Sequence, residues 1–383
     1  MAVGAMRKNI PLFDTFLDET EAAAAGEVIK SGWLSQGPKV AEFERRFSEY
    51  VGAEYAVAVN SCTAALHLAL VAAGVSDGDE VITTPLTFVA TINSILYRRA
   101  RPVFADIDPR TFNIDCNSIR EKVTARTKAI IPVHYAGLPA DMEQINEIAE
   151  KHNLVVVEDA AHAVGAQYRG KMVGSLGDYV CFSFYANKNI TTGEGGMITL
   201  DDEDKARELR GLRSHGMTTS AFQRDRDYQW DYEISGIGYN YRMSEIEAAI
   251  GIAQMSKLGY IIERRNRNAG ILSDRLGGKV QVGTQFVPPD VKSACYFYPI
   301  VTKGVSRDTI LALLRKSGIM AAIHYRPIYL YRVHGNMLGL SEGHCPVCED
   351  IYSRLISIPC HQGLDEDDMA YIANKVIEST ENC

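Results

Sequence analysis

Lys188 stands four residues beyond a short apolar run at 179–184 and is followed by a glycine-rich turn, Gly193-Glu-Gly-Gly196. A lysine at the mouth of a buried strand has a particular chemistry open to it. Loss of water around the ammonium lowers its pKa, and the amine so freed can form a Schiff base with an aldehyde. Asp159 ends another apolar run, Leu154-Val-Val-Val-Glu-Asp159, and leads into Ala-Ala-His162. A carboxylate carried out of water costs several kcal/mol unless it meets a cation. A protonated pyridine nitrogen is such a cation, and holding it protonated keeps the ring an electron sink. The third piece is Asn60-Ser61-Cys62-Thr63, where small residues join a strand to a helix. Backbone N–H groups and two hydroxyls then converge at a helix N-terminus, which is a cradle for phosphate.

Each piece alone has an ordinary alternative. Lys188 could be one more surface lysine, Asp159 a helix N-cap, and the small residues a simple helix start. Taken jointly, a Schiff-base lysine, a ring-nitrogen carboxylate and a phosphate cradle describe a site for pyridoxal 5'-phosphate (PLP). No G-x-G-x-x-G follows a strand and no G-x-x-x-x-G-K-[ST] occurs, so dinucleotide and nucleoside triphosphate sites lack their phosphate turns.

The elements that must position these residues are legible in the apolar pattern. Runs at 55–59, 81–84, 102–106, 129–133, 154–158, 179–184 and 196–200 alternate with helical stretches. Continuous apolar runs of this kind suit a sheet covered on both faces, the α/β class, with ligands gathered at the carboxyl ends of its strands. Gly37-Pro38 opens a helix with Val40, Phe43, Phe47 and Val51 on one stripe, and Gly52 stops it. Residues 64–73 are apolar all round and read as a buried helix whose first turn is the anion site. A long helix is expected over 244–258. We expect a large domain, residues 1–258, and a small α+β domain, residues 259–383, with the N-terminal segment free to pack on the small one.

The length of 383 residues and the ordinary share of charged and apolar types exclude disorder and low complexity. The net charge is −8 with no long block of one sign, which argues against nucleic acid and anionic membrane as partners. No apolar run approaches the roughly 18 residues that cross a bilayer, and Arg7-Lys8 has no apolar stretch behind it, so a cytoplasmic protein is expected. Eight scattered cysteines suggest reduced thiols. Cys345-Pro-Val-Cys348, between His344 and His361, imitates a metal spacing, but a second CxxC is missing and no metal is expected.

These residues bring a family into view. Ser31-Gly-Trp-Leu-Ser-Gln-Gly-Pro38, Asn60-Ser-Cys-Thr-Ala-Ala-Leu66, Pro85-Leu-Thr-Phe88, Pro132-Val-His-Tyr-Ala-Gly137, Glu158-Asp-Ala-Ala-His162, residues 183–196, Gly238-Tyr-Asn-Tyr-Arg-Met243, His324-Tyr325 and Ser357-Ile-Pro-Cys-His361 occur in order. Nearly end to end, the chain resembles the DegT/DnrJ/EryC1/StrS group of PLP-dependent nucleotide-sugar aminotransferases, of the aspartate aminotransferase fold (fold type I). The resemblance implies a seven-stranded, mostly parallel sheet between helices. It implies that Lys188 carries PLP as a Schiff base, that Asp159 pairs with the pyridinium nitrogen, and that Phe88 lies against the ring face. Ser183 and the backbone around Cys62 and Thr63 would hold the phosphate. Asn240 would reach the phosphate of the neighbouring subunit's cofactor, which makes a homodimer necessary for a complete site.

His162 occupies the place beside the cofactor where the family carries His or Gln; a purely structural hydrogen bond is its alternative. Trp33, His324 and Tyr325 resemble substrate-proximal positions, with packing at the domain junction as theirs. His67 and Cys181 are assigned to the core. Many relatives have glycine where this chain has Cys62, which requires a negative φ there. Residues 217–234, polar and aromatic, are expected to form a loop near the subunit interface.

The activity so implied is transfer of an amino group from an amino acid, glutamate first among them, to a ketone of a nucleotide-linked deoxysugar. A keto-cyclitol acceptor is an alternative, and a PLP-bound sensor without turnover is an alternative of another class. Intact Lys188 and Asp159 argue against the sensor. Family members that dehydrate the sugar carry histidine in place of the lysine, and cysteine desulfurases of this fold place His directly before it; here Asn187 precedes Lys188.

Overall fold

The computed structural model describes residues 9–219, 221–226, 228 and 230–381. Arg7-Lys8 and Cys383 lie outside the described residues. The chain opens with helices α1 (Glu19–Ser31) and α2 (Pro38–Val51), then strand β1 (Tyr55–Val59), α3 (Cys62–Ala72), β2 (Glu80–Thr83), α4 (Val89–Tyr97) and β3 (Arg101–Phe104). There follow α5 (Cys116–Lys122), β4 (Thr127–Ile131), α6 (Met142–His152), β5 (Val155–Asp159), the short β6 (Gln167–Tyr168) and β7 (Lys171–Met172), β8 (Tyr179–Ser183) and β9 (Gly196–Leu200). The remainder comprises α7 (Glu203–Leu212), α8 (Ala221–Arg226), α9 (Glu245–Met255), α10 (Leu258–Leu276), β10 (Val282–Thr284), β11 (Val291–Lys292), β12 (Tyr298–Thr302), α11 (Arg307–Lys316), α12 (Arg332–Leu338), α13 (Pro346–Arg354), β13 (Leu355–Ile358) and α14 (Glu366–Glu381).

All seven apolar runs become strands of one sheet, with ends moved by no more than two residues. The strand order is β1-β9-β8-β5-β4-β2-β3. Only β9 runs against its neighbours, pairing antiparallel with both β1 and β8; the remaining pairs are parallel. One edge of the sheet therefore collects the carboxyl ends of β1, β5 and β8 together with the first residue of β9. That edge carries Ser61, Asp159, Ser183 and Gly196.

The covering helices follow from their sequences. In α2, Pro38 sits at the first position, Val40, Phe43, Phe47 and Val51 are buried, and Gly52 closes the helix at φ 75°. Phe43 and Phe47 pack on Phe182 and Phe184 at ring separations of 5.0–5.4 Å, each fully buried phenyl contributing roughly 2 kcal/mol. Nine of the eleven α3 residues are buried, which explains why that segment shows no polar face. The helix expected over 244–258 is α9, which ends three residues early at Met255, and after a break at Ser256-Lys257 a second helix, α10, follows. The Ser256 hydroxyl donates back to the Ala253 carbonyl at 2.6 Å, and Lys257 turns to Asp18 and Glu21 at 2.9 and 2.8 Å. Both contacts draw the chain away from a straight continuation.

Beyond α10, β10, β12 and β13 form an antiparallel sheet against α11 and α14, with Leu272, Ile300, Leu314, Ile356 and Ile372 in its core. The N-terminal segment joins this body: Ile10 donates to the Gly318 carbonyl at 2.8 Å and accepts from Met320 N–H at 2.9 Å. Cys345 is the N-cap of α13 and Pro346 its first residue. Asp106 accepts the free N–H groups of Val347 and Cys348 at 2.9 and 2.8 Å, and burial pushes the Cys345 thiol up to about 12. The pair serves as a capped helix start. Among the described residues no helix is long and apolar enough to cross a membrane.

Candidate active site

Strand alternation sends Glu158 and Asp159 to opposite faces of the sheet. Glu158 is wholly buried and meets His134 Nε2 at 2.7 Å. Asp159, 5% exposed, opens on the strand edge. Its Oδ1 accepts from Ala161 N–H at 3.1 Å and its Oδ2 from the Thr91 hydroxyl at 2.7 Å. Burial raises its pKa, opposed by those two donors and by the charge of Lys188.

Lys188 follows β8 in a turn closed by its own N–H on the Tyr185 carbonyl at 2.9 Å. Its Nζ lies 4.3 Å from the centroid of the Tyr296 ring. Burial brings the ammonium down to about 8, with Cys62 and Asp159 pulling the other way. Lys188 and Asp159 thus act on one another's charge across the strand edge.

The cradle lies alongside. Ser61 caps α3, its hydroxyl accepting from Ala64 N–H at 3.1 Å. The first two N–H groups of the helix, those of Cys62 and Thr63, have no intrahelical acceptor. Cys62 opens α3 with ordinary helical backbone, so the departure from glycine carries no strain. Gly196 makes this approach possible: a Cβ there would stand 2.5 Å from the Ser61 carbonyl carbon and 2.7 Å from Cys62 N. Ser183 is buried at the end of β8, directly opposite Gly196.

Above the lysine, an aromatic group closes the site. His162 stacks on Tyr296 with centroids 4.3 Å apart, and its Nε2 is 3.2 Å from the Tyr325 hydroxyl. Among the described residues His162 Nδ1 is buried without a hydrogen-bond partner. Burial holds its pKa well below the usual histidine range, and Lys188 adds to the effect. His324 stacks on Phe297 at 4.8 Å, and burial with help from Lys188 brings it down to about 4. Tyr325 lies 5.9 Å from Phe88, which is 57% exposed. Trp33 groups elsewhere: its ring packs on Phe222 at 5.3 Å and its Nε1 donates to the Gln36 carbonyl at 3.3 Å. Asn240 is exposed, in an isolated bridge with Ser214. His67 is buried with its Nδ1 3.1 Å from the Tyr241 hydroxyl, and Cys181 lies wholly in the core.

Two participants were not picked out from the sequence. Tyr296 sits in Cys295-Tyr-Phe-Tyr-Pro299, which reads as one more apolar strand. Thr91 had a signal that could have found it: Thr87 and Thr91 are four residues apart around Phe88, spaced for one helix face.

The family model for the DegT/DnrJ/EryC1/StrS aminotransferases matches residues 16–377. The chain belongs to this family. GDP-perosamine synthase of Caulobacter vibrioides is 40% identical over 361 residues, covering 92% of this chain and 93% of that one. PseC of Helicobacter pylori, an aminotransferase involved in the biosynthesis of pseudoaminic acid, superposes with a TM-score of 0.91 at 33% identity, covering 98% of this chain and 100% of its own. Spr1654 of Streptococcus pneumoniae, solved in its PMP form, gives a TM-score of 0.93 at 31% identity, covering 98% of this chain and 100% of its own. The chain is a PLP-dependent sugar aminotransferase of fold type I. Its residues fit the cofactor on their own terms: a buried carboxylate with spare lone pairs, a lysine whose ammonium is destabilised by burial, a helix N-terminus with open donors, and an orphaned His162 Nδ1.

Proposed function

We propose that this enzyme moves an amino group from L-glutamate to a ketone of a nucleotide-linked deoxysugar. The observation that carries the reading is the gathering of Asp159 at the end of β5, Lys188 in the turn after β8 and the start of α3 at one sheet edge. The 40% identity to a protein named GDP-perosamine synthase supports the acceptor class.

When bound, PLP supplies an electron sink that stabilises negative charge on the carbon losing its proton. Lys188 Nζ would be the covalent anchor for the cofactor, and its amine, when free, would be the base that carries that proton. A pKa near 8 suits the task, because about a tenth of the group is then free amine at pH 7, against well under a thousandth for an ordinary lysine. Asp159 would keep the ring nitrogen protonated. The Cys62 and Thr63 N–H groups and the Ser183 hydroxyl would hold the phosphate, and Phe88 would cover a ring face. His162, neutral, offers Nδ1 to a polar group of cofactor or substrate. His324 and Tyr325 line the substrate side, whereas Trp33 packs on Phe222.

The functional unit in this reading is a homodimer. Phe88 and Tyr185, both beside the site, are 57% and 48% exposed, apolar surface that the neighbouring subunit would cover. Asn240, also exposed, would serve the neighbouring subunit's phosphate, and the 217–234 segment, with Trp230 89% exposed, would lie at the same interface. Within the chain that segment doubles back, Met217 bridging Ile234, and contains the short α8.

The test is a panel of UDP-, dTDP- and GDP-linked keto sugars and keto-cyclitols, scored by product mass. A glutamate-dependent gain of an amine on a nucleotide sugar supports the proposal. Amination of cyclitols alone, or conversion of the bound cofactor by no amino acid, contradicts it.

A further inference from the structure

Thr91 is wholly buried in the first turn of α4, yet it bears a hydroxyl. Its proton goes to Asp159 Oδ2 at 2.7 Å. The Thr91 oxygen is 2.7 Å from the Thr87 hydroxyl, which is 1% exposed. Since the Thr91 proton is already committed, Thr87 must donate to Thr91. The two hydroxyls form a directed chain that ends on the carboxylate. Each donor in such a chain is polarised by the one before it.

The direction matters because Asp159 has two stable forms. Burial alone favours a neutral carboxylic acid, which would have no negative charge to hold a pyridinium proton. Ala161 N–H on Oδ1 and Thr91 on Oδ2 both stabilise the ionised form. They also fix the plane of the carboxyl group, since each oxygen is held from a different element. Phe88, the N-cap of α4, stands three residues before Thr91. The same helical turn therefore carries the aromatic assigned to the ring face and the hydroxyl that grips the carboxylate.

We propose that Thr91, supported by Thr87, is a positioning residue that keeps Asp159 ionised and aimed at the cofactor's ring nitrogen. It acts through Asp159 and does not touch the cofactor. The proposal rests on the reading that Asp159 faces that nitrogen.

The experiment measures binding of two ligands to the apoenzyme: PLP, and its analogue with C–H in place of the ring nitrogen. A structural role for Thr91 would weaken both alike; a role through the ring nitrogen weakens only PLP. Thr91→Val is expected to raise the PLP dissociation constant on the order of ten-fold, the size of one hydrogen bond to a charged group. The analogue should change by no more than about two-fold, and the difference is the coupling that a double-mutant cycle reads. Thr91→Ser should restore PLP binding, and Thr87→Val should give a smaller loss confined to PLP, which serves equally if Thr91→Val does not fold. Equal weakening of both ligands by Thr91→Val and Thr87→Val, or no weakening by either, overturns the proposal. Asp159→Asn is the control for the underlying reading. If it distinguishes PLP from the analogue while the threonine variants do not, the threonine role alone fails; if it does not distinguish them, both fail.

Discussion

The Lys188 ammonium stands 4.3 Å from the centroid of the Tyr296 ring. Tyr296 is 3% exposed, and its hydroxyl donates to Asn187 Oδ1 at 2.9 Å, so the ring is tied to the residue just before the lysine. The π face favours the ammonium while the dry surroundings disfavour it. Burial wins, since the group comes down from 10.5 to about 8. The lysine is thus kept reactive without being stripped of charge.

The rate at which PLP joins the apoenzyme follows from that balance. Only the free amine attacks an aldehyde, so the rate should rise with pH and level off above about 8. Asp159 raises the lysine, and Asp159→Asn should shift the midpoint lower. Stopped-flow absorbance across pH reads both. A midpoint near 10.5 would mean that the amine is not desolvated.

His162 and His324 are both held below the usual histidine range, His324 at about 4. Neither should take up a proton at neutral pH. Imidazole NMR resonances assigned by His162→Gln and His324→Gln should stay flat between about pH 5.5 and pH 8, where a free histidine titrates. A titration step within that window at either residue would contradict the packing described.

Gly196→Ala should be costly. The new Cβ would press on the backbone of Ser61 and Cys62, and overpacking of this kind costs about 1–3 kcal/mol. The loss should appear both in urea denaturation and as weaker PLP binding, because the displaced atoms form the cradle. Gly26 in α1 has nothing within 4 Å of its Cβ direction, and Gly26→Ala should instead stabilise by roughly 0.5–1 kcal/mol.

Subunit mixing tests the shared site. Lys188→Ala and Asn240→Ala enzymes should each be poor catalysts, but a hybrid of the two would contain one complete site. Activity should return when they are mixed under exchange conditions. No recovery, with hybrids confirmed by mass, would place Asn240 in the service of its own chain.

Much of this architecture was legible in the sequence, for definite reasons. A parallel sheet buried on both faces demands uninterrupted apolar strands, so all seven were visible, and Asp159 and Lys188 drew attention as charges where such strands stop. The early end of the helix expected over 244–258, at Met255, is not visible in the sequence, because the break depends on Lys257 reaching two carboxylates over 230 residues earlier in the chain. Tyr296 was hidden for a similar reason: its run has strand texture, and only tertiary packing sets it against Lys188 and His162. Trp33 shows the converse. Its motif was informative, but its neighbour within the chain is Phe222, not the lysine.

The central claim is that PLP is held covalently at position 188. Borohydride reduction of the PLP-loaded enzyme, followed by proteolysis and mass spectrometry, tests it most directly. The account predicts a single phosphopyridoxyl adduct on the peptide containing Lys188, lost in Lys188→Ala. An adduct on another lysine, or persistence of the cofactor's absorbance and of turnover in Lys188→Ala, would contradict it.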